Sequence, residues 1–263
     1  MDKTPLQKLA LQVEQIARKD GELTRAIKRP EVFTKEGHAN FVTAADLASQ
    51  EFLMEELAKI LPEAGFLAEE GEGGKLPEGL CFIIDPIDGT ANFMRGCRRS
   101  AISIGLVSRG EGLLGVVLNF DSGELFSAVK GGGAFLNGRP IHAADTPLAE
   151  SLLVFGSSPY YRELLEPTFA VVKKVFSQCG DVRRSGSAAL DLCDVAAGRF
   201  DGFFEARLSP WDYAASSVIL REAGGQIFSG RMGLSYEKPC PICAGSGSLF
   251  PKILEAAESE GIF

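Results

Sequence analysis

The chain has 263 residues, 45% hydrophobic and 24% charged, a globular composition that excludes disorder, collagen and coiled coil. Its 27 Lys and Arg against 35 Asp and Glu leave a formal charge of −8, so a phosphate backbone is repelled and no nucleic-acid partner is expected. That balance still admits a small phosphorylated ligand, because bound cations can invert the field locally.

The first predicted element is a helix over residues 5–28, where Leu6, Leu9, Ala10, Val13, Ile16 and Ala17 recur at helical spacing. Charges interleaved through this segment leave no signal core, and no apolar run reaches the roughly 18–20 residues of a membrane helix. A cytoplasmic protein without a membrane partner is the expectation. A second helix is predicted over 43–62, through Leu47, Leu53, Leu57 and Ile60. Strands follow over 64–68, over 81–84 ending in Asp85, and over 102–107, 113–120 and 125–129. The Asn137-Gly138 pair predicts the turn of one more hairpin. Beyond it the pattern alternates: strand 152–155, helices 160–178 and 187–197, strand 203–206, helix 211–223 and a closing helix 249–260. Helices flanking a block of antiparallel strands, then an α/β half, predict a layered α+β sandwich. The expected division of this single unit is an N-terminal half over 1–145 and a C-terminal half over 146–263.

Several familiar chemistries are missing. There are two histidines, His38 and His142, and no Ser-His-Asp neighbourhood. Cys240-Pro-Ile-Cys243 has the spacing of a zinc half-site but no second pair, and reads as part of a buried strand. The scattered cysteines are expected to be reduced. Gly110-Glu-Gly-Leu-Leu-Gly115 fits a dinucleotide fingerprint, yet it leads into a strand where that fingerprint must open a helix.

The informative residues are acidic. Asp85-Pro-Ile-Asp88-Gly-Thr90 puts one carboxylate at a strand end and another three residues on, and its Pro and Gly predict a tight turn facing both to one point. Backbone N–H groups around Gly89 and Thr90 are available to an anion. Two carboxylates repel an anion unless a cation lies between, and magnesium takes oxygen ligands while leaving room for phosphate and water. The alternative is that both aspartates are turn formers and caps. Glu69-Glu70 follows a second strand end, and Trp211-Asp212 opens a helix after Pro210. Thr43-Ala-Ala-Asp46 reads as a capping box, a role compatible with Asp46 also accepting a hydroxyl proton.

Val42-Thr43-Ala44-Ala45-Asp46, Ala68-Glu69-Glu70, Asp85-Pro-Ile-Asp88-Gly-Thr90-Ala-Asn92-Phe93 and Pro210-Trp211-Asp212 together resemble the signature set of the inositol monophosphatase family, which are magnesium-dependent, lithium-sensitive phosphatases. Gly131 to Gly138, Arg184 to Ala189 and Glu222-Ala-Gly-Gly225 match in order, so the likeness runs along nearly the whole chain. The resemblance implies an αβαβα sandwich of the sugar-phosphatase type, a homodimer, and two to three magnesium ions per active site. It implies that Glu69, Asp85 and the carbonyl of Ile87 hold one ion, that Asp85, Asp88 and Asp212 hold another, and that a third leans on Glu69. Thr90, bonded to Asp46, would orient the attacking water together with Glu69, with Lys35 as an auxiliary group. Ile87, Asp88, Gly89, Thr90, Gly186, Ser187, Ala188, Glu205 and Asp212 would contact the substrate.

The implied reaction is hydrolysis of myo-inositol monophosphate to inositol and phosphate by a metal-activated water. Alternatives are a fructose-1,6-bisphosphatase, a nucleotide or histidinol phosphatase, or a regulatory binding protein that keeps the fold. Ala91-Asn92-Phe93 and Glu205 favour the inositol type within the resemblance. Two departures stand out: Ala68 replaces the usual Gly, and Arg98-Arg99 replaces an apolar or aromatic pair.

Overall fold

Residues of strand β4 (Leu80–Asp88) alternate between two cores. Phe82 and Ile84 face one, Cys81 and Ile83 the other, so this strand is buried on both sides. The computed structural model describes residues 3–27, 31–34, 41–71, 76, 78–229 and 233–263; Lys35 and His38 lie outside them. β4 belongs to a seven-stranded sheet that runs in chain order. Its other strands are β3 (Gly65–Ala68), β5 (Ala101–Ser108), β6 (Glu111–Asn119), β7 (Glu124–Val129), β8 (Ala134–Leu136) and β9 (Arg139–Ile141). Only β3 and β4 pair in parallel; a chain-order meander needs only short connections elsewhere. Asn137 and Gly138, at φ 49° and 75°, make the predicted β8–β9 turn.

Helices α1 (Lys3–Ala26) and α2 (Ala44–Ile60) cover one face of this sheet through Leu6, Val13, Ala17, Leu53 and Leu57. Ahead of α2, β1 (Val32–Thr34) and β2 (Phe41–Thr43) form a small antiparallel ribbon. The other face carries α5 (Ala188–Ala196) and α6 (Pro210–Glu222). Gly105 and Gly115 pair across β5 and β6 directly under α6. A methyl at Gly115 would lie 2.1 Å from Ala215 O, so the missing side chain lets the helix backbone rest on the sheet. That approach fixes where the N-terminus of α6, and Asp212, stand.

A five-stranded sheet packs on the far side of α5 and α6, in the order β11 (Asp181–Arg183), β10 (Leu152–Phe155), β12 (Gly202–Leu208), β14 (Cys240–Gly245) and β13 (Gln226–Phe228). Its outer face is closed by α4 (Leu165–Phe176) and α7 (Leu249–Ser259), through Val171, Val175, Phe204, Leu249 and Ile253. The result is the expected α+β sandwich of five layers, αβαβα. Cys240 and Cys243 point to opposite faces of β14, into different cores, which suits buried filler and prevents a shared metal. No helix among the described residues is long and apolar enough to cross a membrane.

Two local expectations need correction. The segment after Ile84 is not a turn: β4 continues through Pro86 to Asp88 with a register shift between Asp85 and Asp88, so the N–H that proline lacks falls at a bulge. The turn comes at Gly89, whose φ of 86° opens α3 (Thr90–Arg95). The predicted helix over 160–178 begins only at Leu165, because Ser158 takes a left-handed φ of 41° and the two tyrosines after it form cavity wall.

Candidate active site

The β4 bulge points Asp85 and Asp88 into a cavity of about 440 Å³ between the two sheets. Asp212, the third residue of α6, arrives from the opposite side. One carboxylate oxygen from each of Asp85, Asp88 and Asp212 lies within 4.8 Å of the others. Each is anchored by groups that leave capacity to spare. Asp85 Oδ1 accepts the Ile87 N–H at 3.0 Å, and Asp212 Oδ2 accepts the Ser209 N–H at 2.7 Å. Asp88 Oδ2 accepts the Ser187 hydroxyl and, at 2.9 Å, the Ala189 N–H at the start of α5. Such outer contacts fix the direction of a ligand before any ion arrives.

Electrostatics make this cluster unstable as it stands. Burial pushes the Asp85 carboxyl well above its ordinary range, and Glu69, Asp88 and Asp212 push it further. Asp212 rises well above it too, through burial and then the charges of Asp88 and Glu69. Asp88 goes up to about 6 through burial, opposed by its bonds from Ser187 and Ala189. Among the described residues no lysine or arginine pairs with any of the three. An all-oxygen, cation-free set of converging acids fits a hard divalent ion such as magnesium.

Glu69 follows β3, lines the same cavity and adds its negative charge beside Asp85. Ala68 before it has no left-handed backbone, so its methyl group costs nothing there. Gln50 on α2 grips the next residue, donating to Glu70 O at 2.5 Å and accepting the Glu70 N–H at 2.9 Å. Thr90 Oγ1 stands 3.3 Å from Asp46 Oδ1 and 3.2 Å from the Ile87 carbonyl. Asp46 is buried and caps α2: its Oδ2 accepts the Thr43 N–H at 2.8 Å and the Thr43 hydroxyl at 2.5 Å. Capping and contact with Thr90 therefore coexist in one side chain. Burial raises the Asp46 carboxyl, against bonds from Thr43 and Thr90.

Every expected site residue except Asp46 and Lys35 lines the one cavity: Glu69, Asp85, Ile87, Asp88, Gly89, Thr90, Gly186, Ser187, Ala188, Glu205 and Asp212. Asp46 sits behind Thr90, and Lys35 is outside the described residues. A methyl at Gly89 would lie 3.0 Å from Gly186 O and 3.1 Å from Arg99 O, so this glycine lets the two cavity walls meet. Glu205 is buried in the wall on β12, where its Oε1 accepts the Ser158 N–H at 2.8 Å; burial pushes its carboxyl up to about 8.

Sequence reading singled out Arg99 and Asn92 but missed that they brace this site through distant partners. Arg99 donates to Asp191 at 2.8 Å and Asp194 at 2.6 Å, so the charge in an apolar family position is met by two acids of α5. Asn92 ties the Arg99 carbonyl, at 2.8 Å, to that of Ser185, at 3.1 Å. Tyr160, Tyr161, Arg184 and Arg207 also line the cavity. Partners some 90 residues apart leave no periodic trace in a sequence.

The profile of the inositol monophosphatase family matches residues 3–261. The chain belongs to that family. An inositol-1-monophosphatase of Rhizobium meliloti strain 1021 is 42% identical over 191 residues, 72% of each chain. The Nus factor SuhB of Escherichia coli strain K12 is 36% identical over 225 residues, 85% of this chain and 83% of that one. The structure of the inositol monophosphatase from Anabaena (Nostoc) sp. PCC 7120 shares the fold with a TM-score of 0.85 at 34% identity, over 97% of both chains. Membership makes this inositol monophosphatase relative a phosphatase of a generally metal-dependent family, and its three clustered aspartates supply an acidic site for a metal.

Proposed function

We propose that the chain hydrolyses small phosphate monoesters of polyols or sugars in a magnesium-dependent reaction, with myo-inositol monophosphate as a substrate. The observation that carries this reading is the convergence, in one cavity, of the Asp85–Asp88–Asp212 cluster and the Thr90–Asp46 pair. Asp85, Asp88 and Asp212 would hold magnesium, with Glu69 and the Ile87 carbonyl beside them. When bound, magnesium neutralises phosphate and leaving-group charge and lowers the pKa of water.

The protein's own part is positioning. The Thr90 hydroxyl donates to Asp46 and so presents a lone pair to a hydrogen of the attacking water. Asp46 holds that hydroxyl in one direction and is able to take proton density from it. Glu69 offers a second acceptor on the same side. The N–H groups at Gly89 and Thr90 face the phosphate oxygens, and Glu205 accepts a hydroxyl of the alcohol. A phosphoryl group in flight needs little covalent help, so orientation and charge carry the rate.

The test is phosphate release from myo-inositol 1-phosphate with and without magnesium. Turnover that appears with magnesium and disappears in Asp212→Asn supports the reading; release that ignores both refutes it. The SuhB relatives keep the regulatory alternative in view, but the carboxylate cluster is an arrangement that binding to a partner would not require.

A further inference from the structure

Away from the aspartates, the same cavity is lined by two arginines, Arg184 and Arg207. Neither forms an ion pair among the described residues, although the chain as a whole is acidic. Arg207 is placed there by the backbone. β12 and β14 lose register between Glu205 and Leu208, and within that irregularity Arg207 is the exposed residue of an otherwise buried strand. Bulges beside active sites commonly re-aim a side chain in this way.

The bulge is stapled to the loop that carries the tyrosines. Ser158 Oγ accepts the Arg207 N–H at 3.0 Å and stands 3.2 Å from the Arg207 carbonyl, while the Ser158 N–H is bonded to Glu205. This double tether holds Ser158 in its left-handed conformation and sets Tyr161 against Arg207. The guanidinium carbon lies 4.4 Å from the centroid of the Tyr161 ring. The cation–π contact holds the guanidinium over the ring, and its N–H groups make no side-chain hydrogen bond among the described residues, which leaves them for an oxyanion. Arg184 reaches the same loop, with Nη2 3.4 Å from Ser157 Oγ.

Arg184 is near enough to Glu205 to act on its carboxyl, but neither arginine is tied to an acid by a direct ion pair among the described residues. Glu205 turns its Oε1 inward to Ser158, and Asp191 is paired with Arg99. We infer that Arg207, stacked on Tyr161, forms with Arg184 a second anion-binding position, so that the enzyme prefers phosphate monoesters carrying another phosphate or carboxylate. This rests on the phosphatase reading above and names the substrate class within it.

The test compares kcat/KM, in magnesium, for fructose 1,6-bisphosphate, fructose 1-phosphate and p-nitrophenyl phosphate. The parent enzyme is expected to favour the bisphosphate over fructose 1-phosphate about 10-fold or more, as one or two charge-assisted hydrogen bonds imply. In Arg207→Gln that ratio falls about 10-fold, toward one. Arg207→Lys, which keeps the charge without the fork, gives a smaller fall, as does Tyr161→Leu, which removes the stacking surface. A parent ratio near one, or a ratio that Arg207→Gln leaves in place, overturns the second anion position alone. No magnesium-dependent release from any of the three esters overturns the phosphatase reading, and this inference with it.

Discussion

Helices α2 and α6 start with the same device. An N-cap hydroxyl residue, Thr43 or Ser209, is followed three residues on by an aspartate whose Oδ2 accepts the cap's own N–H, at 2.8 Å for Asp46 and 2.7 Å for Asp212. Locally the two are interchangeable. Their surroundings are not: Asp46 also meets the neutral hydroxyls of Thr43 and Thr90, whereas Asp212 meets Asp85 and Asp88. Burial raises both carboxyls, but donors oppose the rise at Asp46 and like charges add to it at Asp212. A capping box thus fixes where an aspartate points, and the neighbours that folding brings decide its task. One is suited to orient a hydroxyl and the other to hold a cation.

The largest expected effect separates the two directly. Asp212→Asn keeps a carbonyl oxygen for the cap but removes a charge from the cluster. Turnover should fall about 10³-fold or more, the several kcal/mol that metal-held charge stabilisation contributes. Magnesium should raise the Tm of the parent and do so much less in the variant, since only an ion that binds the folded state stabilises it. Without magnesium the variant should melt above the parent, because repulsion is relieved. Near-parent turnover would show that Asp212 only caps its helix.

The counterpart is Asp46→Asn, compared with Thr90→Ala. Each should lower kcat about 10²- to 10³-fold, the range of a positioned acid–base group, while the magnesium-dependent rise in Tm stays. Because both act through one hydroxyl, the double variant should lose far less than the product of the two. If Asp46 is a cap and nothing more, Asp46→Asn lowers stability by about 1 kcal/mol and leaves turnover per folded molecule alone. Melting curves beside rates decide it.

The difference between these boxes also marks how far the sequence could be read. Thr43-Ala-Ala-Asp46 announces a cap and Asn137-Gly138 a hairpin, since both motifs close within a few residues. The order of helices and strands was legible for the same reason, and the five-layer arrangement came from the resemblance. Pro86 misled because proline is rare inside a strand; only the structure places it where β4 and β5 lose register. Edge strands β11 and β13, three residues each, are too short for a periodic signal. Gln50, Arg99 and Arg207 matter through partners distant in the chain, and no local pattern reports those.

Glu205 sharpens the comparison at a smaller scale. Its Oε1 is committed to the Ser158 N–H, as one oxygen of each capping aspartate is committed to a helix start. On the proposed function its other oxygen is the acceptor for a substrate hydroxyl. Glu205→Gln should reduce kcat/KM for myo-inositol 1-phosphate by roughly 1–3 kcal/mol in activation free energy, most fully above pH about 8 where the carboxyl is ionised and its hydrogen bond is charge-assisted. On p-nitrophenyl phosphate, which has no hydroxyl to offer, the loss should be far smaller. Equal losses on both esters would return Glu205 to scaffolding.

Glu222 is the limiting case, a carboxylate with nothing to spare. Its Oε1 accepts the Gly131 N–H at 2.6 Å and its Oε2 the Gly133 N–H at 2.8 Å, joining the end of α6 to the loop between β7 and β8. Two of the segments that carry the family resemblance, Gly131 to Gly138 and Glu222 to Gly225, are therefore halves of one structural contact. Glutamine at position 222 presents one acceptor and one donor, so at least one of these N–H groups loses its partner. The expected cost is about 1–2 kcal/mol, because the site is partly open to water. That lowers Tm by about 2–6 °C in a chain of this size. The effect on catalysis should be the smallest of the series, with kcat/KM per folded molecule and the response to magnesium both at parent values. A loss of turnover without a loss of stability would mean that α6 transmits the state of its C-terminal end to Asp212, and would remove the distinction between acids that hold the fold and acids that face the cavity.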